Sequence, residues 1–343
     1  TSTNSSIGLI YALKKIFIMK KIVILGSEGY IGTKVVDFLS KKKNYYIEGV
    51  DNLIYSQPKK LKKLTNYNFR KIDIRNLRKT TEVCKDAHCV VILAGLVGDP
   101  ITKKYKKLST SINLFAIKKL IQKLNKTNIE KLIFVSTCSN YGIKKNKLLK
   151  ENAKLEPISL YSKHKVIIEN YLLKNDFRFS KTILRFATAF GLSKRMRFDL
   201  TVNEFVKTAF LKENLEIYHG QTYRPYCHVN DFAKIIHFII KSPTKKTNGE
   251  VFNCGSNNNN FNKIQIGNMV KKKFKSLKIE KVSKNLDLRN YKVDFSKIQK
   301  FMGKNNKFIS VEYGIDEIKR YLKSTSVKDS ELKKLGNFSI KKN

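Results

Sequence analysis

The chain has 343 residues, 41% of them hydrophobic, and carries 70 Lys+Arg against 27 Asp+Glu for a formal net charge of +43. That length suggests one large or two ordinary domains at roughly 150 residues each, and no run approaches the ~18 consecutive apolar residues that a membrane-spanning helix needs. The five cysteines (Cys84, Cys89, Cys138, Cys227, Cys254) form no C-x-x-C pair, which excludes a zinc motif and points to free thiols in a reducing, cytoplasmic compartment. The positive charge invites nucleic acid as a partner. The lysine runs at 41–43, 59–63, 103–107 and 271–275 argue against it, because they spread over the whole chain as solvated surface does.

Residues 1–18, TSTNSSIGLIYALKKIFI, read as an N-terminal extension expected to be disordered; lysines follow its short apolar run, the wrong order for a secretory signal. KIVIL at 21–25 reads as the first strand, followed by a glycine turn and a helix to about Ser40. Strands follow at 45–50 and 67–73, then a helix at about 76–86, a strand at 89–95, a helix near 110–125 and a strand at 131–137. The helix carrying Tyr161 and Lys165 precedes a strand at 181–187. Continuous apolar strands alternating with helical patterns mean a parallel sheet covered on both faces, an α/β fold. The second half is less regular. It reads as a loop and amphipathic helix at 191–210, short strands at 215–218 and 251–254, a helix at 229–240 capped by Asn230 or Asp231, and a last firm helix at 311–322. Residues 325–343 read as a polar tail that frays.

Two motifs carry chemistry. ILGSEGYIG places Gly26, Gly29 and Gly32 directly after a strand and at the opening of a helix. Glycines there permit a tight turn and let backbone N–H groups approach a pyrophosphate. Asp51 ends the second strand, where a carboxylate accepts from both ribose hydroxyls and repels a 2′-phosphate, favouring NAD over NADP. Glu28, inside the turn, is expected to point outward. Further on, SLYSKHK sets Tyr161 and Lys165 one helical turn apart. A nearby ammonium lowers a phenol's pKa from about 10 towards neutrality and makes it a general base.

The glycine turn, Asp51, STCSNYG at 136–142 and the Tyr161/Lys165 pair, in this order, resemble the extended short-chain dehydrogenase/reductase family, in its NAD-dependent nucleotide-sugar epimerase/dehydratase branch. The resemblance covers roughly residues 20–322. It implies a Rossmann-type doubly wound parallel sheet with a smaller C-terminal α/β substrate-binding lobe. The NAD-binding domain would take 19–188 plus about 226–253, and the lobe 189–225 plus about 254–324. It implies NAD contacts from Gly26, Gly29, Tyr30, Ile31 and Gly32 at the turn, Asp51 and Asn52 at the ribose, Asp73 and Ile74 at the adenine, and Ala94, Gly95, Lys165 and Phe186 towards the nicotinamide. Tyr161, Lys165 and Thr137 would be catalytic: Tyr161 takes a sugar hydroxyl proton, Thr137 orients the oxygen, and a hydride leaves the same carbon for the nicotinamide. Thr137 and Tyr161 would thus also touch the nucleotide sugar, with Asn203, Arg224 and Arg289 on its diphosphate. His228 is expected to be structural.

Dehydratases of this family carry an acidic residue just after the catalytic threonine; here Cys138 and Ser139 stand there, which disfavours elimination. What remains is a 4-epimerase-like cycle of oxidation and re-reduction of an NDP-sugar through a keto intermediate. A net NDP-sugar dehydrogenase or reductase, or a dehydratase, is the alternative within the family. A catalytically inactive RNA-binding or assembly factor of the same fold is the alternative from another class, opposed by the presence of Thr137, Tyr161 and Lys165. Thr188 stands where some 4-epimerases have an asparagine, which leaves the sugar open. A homodimer is expected through helices at 110–125 and 159–174, using Leu114, Ile117, Leu120, Ile121, Val166, Ile167 and Leu172. No metal is expected.

Overall fold

In the computed structural model, which describes residues 19–55, 64–282, 289–303, 305–325, 329–332 and 334–340, the apolar runs become one parallel sheet. Its strands are β1 (Lys20–Leu25), β2 (Tyr45–Asp51), β3 (Tyr67–Lys71), β4 (Cys89–Ile92), β5 (Lys131–Thr137), β6 (Ser180–Phe186) and β7 (Glu250–Cys254). The spatial order is 3-2-1-4-5-6-7, with Ile22 opposite Ile47 on one side of β1 and opposite Cys89 on the other. This is a doubly wound α/β sheet, and the order reverses between β1 and β4. Ligands bind such sheets at that reversal, beyond the strands' carboxyl ends.

Both faces are covered, which is why the strands read as unbroken apolar runs. Ile22 and Ile24 enter one core with Val35, Val36 and Leu39 of helix α1 (Gly32–Leu39) and with Phe232 and Ile236. Val23 and Leu25 enter the other, with Val83 of α2 (Leu77–Cys84), Ile117 and Leu120 of α3 (Ile117–Leu124) and Ile168 of α4 (Leu160–Lys174). A third core joins Phe190, Met196 and Phe198 to α5 (Thr201–Leu211) and to Val311, Ile315 and Leu322. Thr188–Phe190 pairs with Tyr223–His228, the chain then re-enters the large sheet at β7, and after it Asn260–Asn262 pairs with the other edge of Tyr223–His228. The third core is distinct from the two that flank the large sheet.

Four expectations change. Helix α6 (Val229–Lys241) is capped by His228, whose Nδ1 accepts from Asn230 N at 3.2 Å; neither Asn230 nor Asp231 is the cap. The reason is a second bond: Nε2 meets Glu317 Oε2 at 2.9 Å and holds the fully buried ring at the helix start. The described part of the polar tail packs rather than frays, since Phe198 N donates to Leu335 O at 2.8 Å and Asn337 Nδ2 to Val97 O at 2.7 Å. Ile117, Leu120, Ile121 and Leu172 are fully buried within one chain, so they cannot line a dimer seam. Glu28 turns inward beneath β3, where its Oε1 accepts from Tyr67 Oη at 2.8 Å; the extension at 1–18 lies outside the described residues.

Candidate active site

At the strands' carboxyl ends opens a cavity of about 920 Å³. Gly26, Gly29, Tyr30, Ile31, Gly32, Asp51, Asn52, Ile74, Ala94, Gly95, Thr137, Tyr161, Lys165, Phe186, Arg224 and Arg289 all line it. Of the sequence-derived candidates, only Asp73 and Asn203 stand off it.

Gly26 has φ +91°, and a Cβ there would lie 2.7 Å from Ala94 N. The turn can therefore lie against the β4 loop only because the residue is glycine. Beside it, Asp51 accepts from Glu28 N at 3.1 Å and Leu53 N at 2.8 Å, so its carboxylate is held at the end of β2 with lone pairs to spare. Burial raises its pKa, against those hydrogen bonds. Asp73 is off the cavity because Arg75 chelates it, with Nη2–Oδ2 2.8 Å, and Asn52 Nδ2 donates to it at 2.9 Å. Desolvation opposes this, but these bonds win and hold Asp73 at about 2.

Thr137 ends β5, and its Oγ1 accepts from Ser139 N at 3.1 Å, which leaves the hydroxyl proton to face the cavity. Ser159 caps α4 through Ser162 N at 3.2 Å, which fixes where Tyr161 and Lys165 start their helix. Lys165 Nζ donates to Val135 O at 2.7 Å and lies 5.8 Å from the centre of the Tyr161 ring. Burial pulls the ammonium down to about 8. It also pushes the half-buried Tyr161 hydroxyl well above its ordinary value, with Arg197 opposing. In the chain without cofactor, burial outweighs the charges around the Tyr161 hydroxyl, and Lys165 hydrogen-bonds the β5 backbone rather than the phenol.

Behind this wall, Glu169 of α4 is fully buried. It accepts from Arg185 Nη2 at 2.7 Å, Asn140 Nδ2 at 2.7 Å and Ser136 Oγ. The network ties the Tyr161 helix to the ends of β5 and β6. Cys138 packs inside it, its Sγ donating to Arg185 O at 3.2 Å, and burial pushes the thiol far up. It is not among the residues that line the cavity.

Elsewhere in the lining Arg224 is buried, stacks 5.0 Å from the centre of Tyr291 and donates to Arg289 O. Arg289 Nη2 pairs with Asp99 Oδ2 at 2.8 Å. Asn203 faces inward: its Oδ1 accepts from Gly191 N at 3.0 Å, and its Nδ2 donates to Tyr30 Oη and Arg197 O at 2.9 and 3.0 Å. Phe186 serves two roles, lining the cavity and stacking on Phe232 at 3.8 Å. Lining residues with no signal of their own in the sequence include Tyr55, Arg195, Arg197 and Asn337. Only the basic cluster in SKRMRFD hints at two of them.

The model of the NAD dependent epimerase/dehydratase family matches residues 22–255. This chain belongs to that family. It is an NAD-dependent enzyme of the epimerase/dehydratase type, as the glycine turn and Asp51 had indicated. The epimerase/dehydratase is 28% identical over 246 residues to an uncharacterized UDP-glucose epimerase of Bacillus subtilis, covering 68% of this chain and 76% of that one. It is 24% identical over 261 residues to a UDP-glucose 4-epimerase of Lactobacillus helveticus, covering 69% and 76%. Its fold matches a UDP-N-acetylglucosamine 4-epimerase of Methanobrevibacter ruminantium with a TM-score of 0.78 at 23% identity, over 89% of this chain and 99% of that one. Among the described residues no helix is long and apolar enough to cross a membrane.

Proposed function

We propose that this enzyme inverts a hydroxyl-bearing carbon of an NDP-sugar, in the manner of a 4-epimerase, by oxidation to a keto sugar and re-reduction. One observation carries the reading. Thr137, Tyr161 and Lys165 meet the glycine turn and Asp51 around a single cavity, while the position after Thr137 offers no acid for water elimination, only a packed Cys138 and a cavity-lining Ser139.

The cavity suits NAD. The bare-glycine turn at Gly26 admits a pyrophosphate against the N-terminus of α1, with Gly29, Tyr30, Ile31 and Gly32 around it. Asp51 and Asn52 would take the adenosine ribose, Ile74 the adenine with Asp73 at its edge, and Ala94, Gly95, Phe186 and Lys165 the nicotinamide riboside. NAD held there would supply the hydride acceptor for the oxidation and the hydride donor for the re-reduction. Tyr161 removes the hydroxyl proton during oxidation and restores it during reduction. Thr137, its oxygen pinned by Ser139 N, donates to the reacting oxygen and fixes its position. Lys165, anchored on Val135 O, keeps a positive charge at the edge of the Tyr161 ring. Arg224 and Arg289 would grip the diphosphate, which competes with Asp99 for Arg289. Asn203 would act indirectly, by holding Gly191 and Tyr30.

A homodimer fits the exposed Phe115 and Ile167, 57% and 44% exposed on the two helical segments named for it. Cytoplasmic residence fits five unpaired, buried cysteines. The decisive experiment is incubation with UDP-, GDP-, dTDP- and CDP-sugars and product analysis by NMR. Inverted sugar without net change in NAD is expected; a dehydrated product or stoichiometric NADH would refute the epimerase reading. Tyr161→Phe should abolish turnover while NAD stays bound.

A further inference from the structure

We infer that Arg195, carried on the loop between Gly191 and Asp199, closes over the glycine turn and binds the pyrophosphate of the dinucleotide. The inference rests on the NAD reading above and goes beyond it, because the residue comes from a distant stretch of the chain.

The position is set by geometry. Tyr30 Oη donates to Gly191 O at 2.6 Å, Ser193 Oγ donates to Tyr30 O at 2.7 Å, and Thr33 Oγ1 meets Ser193 Oγ at 2.7 Å. These bonds lace the loop onto the turn and the first residues of α1, two residues before Arg195. Gly191 itself has φ +104°, and a Cβ there would stand 2.2 Å from His228 Nε2, so the loop starts from a fixed point.

The guanidinium is in an unusual state. Arg195 is 4% exposed and lines the cavity. Among the described residues it makes no ion pair; its contacts are a 3.3 Å bond from Nη2 to Gly336 O and a stack 4.6 Å from the centre of Tyr55. Arg197, by contrast, is chelated by Asp199, with Nε–Oδ1 3.0 Å. Burial, then the Arg197 charge, pulls Arg195 down to about 10. Asp199 and Asp51 attract it through space without forming an ion pair, so burial of the cation is only partly compensated and an anion entering the cavity offsets the remainder. The anion is identified by what surrounds it. The turn from Gly26 to Gly32 holds no basic residue, only Glu28, and Asp51 stands next to it. Glu28 itself turns away onto Tyr67, so a dianionic pyrophosphate at that turn finds backbone N–H groups and the nearby Asp51 carboxylate but no side-chain cation of the turn's own. Of the two guanidinium groups on the loop that lies on the turn, Arg195 is the one that Asp199 does not chelate, whereas Arg224 and Arg289 pack against Tyr291 and Asp99.

The test compares Arg195→Gln and Arg195→Lys with the wild-type chain, by calorimetric titration of the cofactor-free proteins with NAD, NADP, ADP-ribose, adenosine and UDP. Arg195→Gln should lose roughly ten- to hundred-fold in affinity for NAD and ADP-ribose, leave adenosine and UDP unchanged, and melt without cofactor no lower than wild type. Arg195→Lys should recover part of the loss. Unchanged ADP-ribose affinity, an equal loss for adenosine, a loss confined to UDP, or a larger loss for NADP than for NAD would each overturn the assignment. A wild-type chain that binds neither NAD nor ADP-ribose would overturn the cofactor reading and this inference with it.

Discussion

Lys165 Nζ lies 5.8 Å from the centre of the Tyr161 ring, yet it donates to Val135 O, at 2.7 Å, and not to that phenol. Without cofactor the phenol is held protonated by burial. On the proposed mechanism, the added positive charge of an oxidised nicotinamide would lower its pKa. Tyr161 should therefore titrate above the ordinary tyrosine range in the cofactor-free protein and at lower pH once NAD is bound. Phenolate difference absorbance between wild type and Tyr161→Phe reads this directly, since the chain has no tryptophan. A difference spectrum that NAD leaves unmoved would contradict the proposed activation.

The same burial makes Lys165 a stability liability. Its folded pKa is about 8, below the ordinary 10.5, so between these values the unfolded chain binds more protons and stability rises with pH. The cost is complete below pH 8 and gone above about 10.5. Lys165→Met should thus be more stable than wild type at pH 7 by up to about 3 kcal/mol, less the unsatisfied Val135 carbonyl, with the gap closing towards pH 10.5. Its kcat should fall by about 10²–10⁴. Urea titrations at several pH values check the first part and steady-state rates the second.

Glu169 and Arg185 form a buried pair that anchors the Tyr161 helix. Arg185→Leu strands a carboxylate and should destabilise by about 3–5 kcal/mol, whereas Glu169→Leu combined with Arg185→Leu should recover much of that loss. The double variant should still lose kcat, because Ser136 and Asn140 no longer fix the end of β5 beside Thr137. A double variant as unstable as Arg185→Leu alone would show that the pair contributes more than mutual neutralisation.

Residues 335–337 hold three bonds to loops lining the cavity: Leu335 O to Phe198 N, Gly336 O to Arg195 Nη2 and Asn337 Nδ2 to Val97 O. At about 1 kcal/mol per bond, a chain ended after Leu332 should lose about 3 kcal/mol of stability and show a raised KM for the nucleotide sugar. Urea midpoints and saturation kinetics measure both. An unchanged KM would mean that this segment stabilises the loops without shaping the cavity.

Local chemistry alone determined much of this protein. Apolar runs marked strands buried on both faces, the glycine spacing marked the phosphate turn, and the four-residue interval joined Tyr161 to Lys165; each is a property of neighbours in the chain. Tertiary structure decided what depends on segments far apart. It turned Asn203 inward because Tyr30 and Gly191 needed its amide, made His228 the cap of α6 because Glu317 reached its other nitrogen, and consumed Ile117 and Leu120 in the monomer core. It also laid the loop that carries Arg195 against a turn more than 150 residues earlier in the chain. Periodicity and spacing report which face a residue shares with its neighbours, whereas burial, desolvation and pairing across the fold arise only when distant surfaces close on one another.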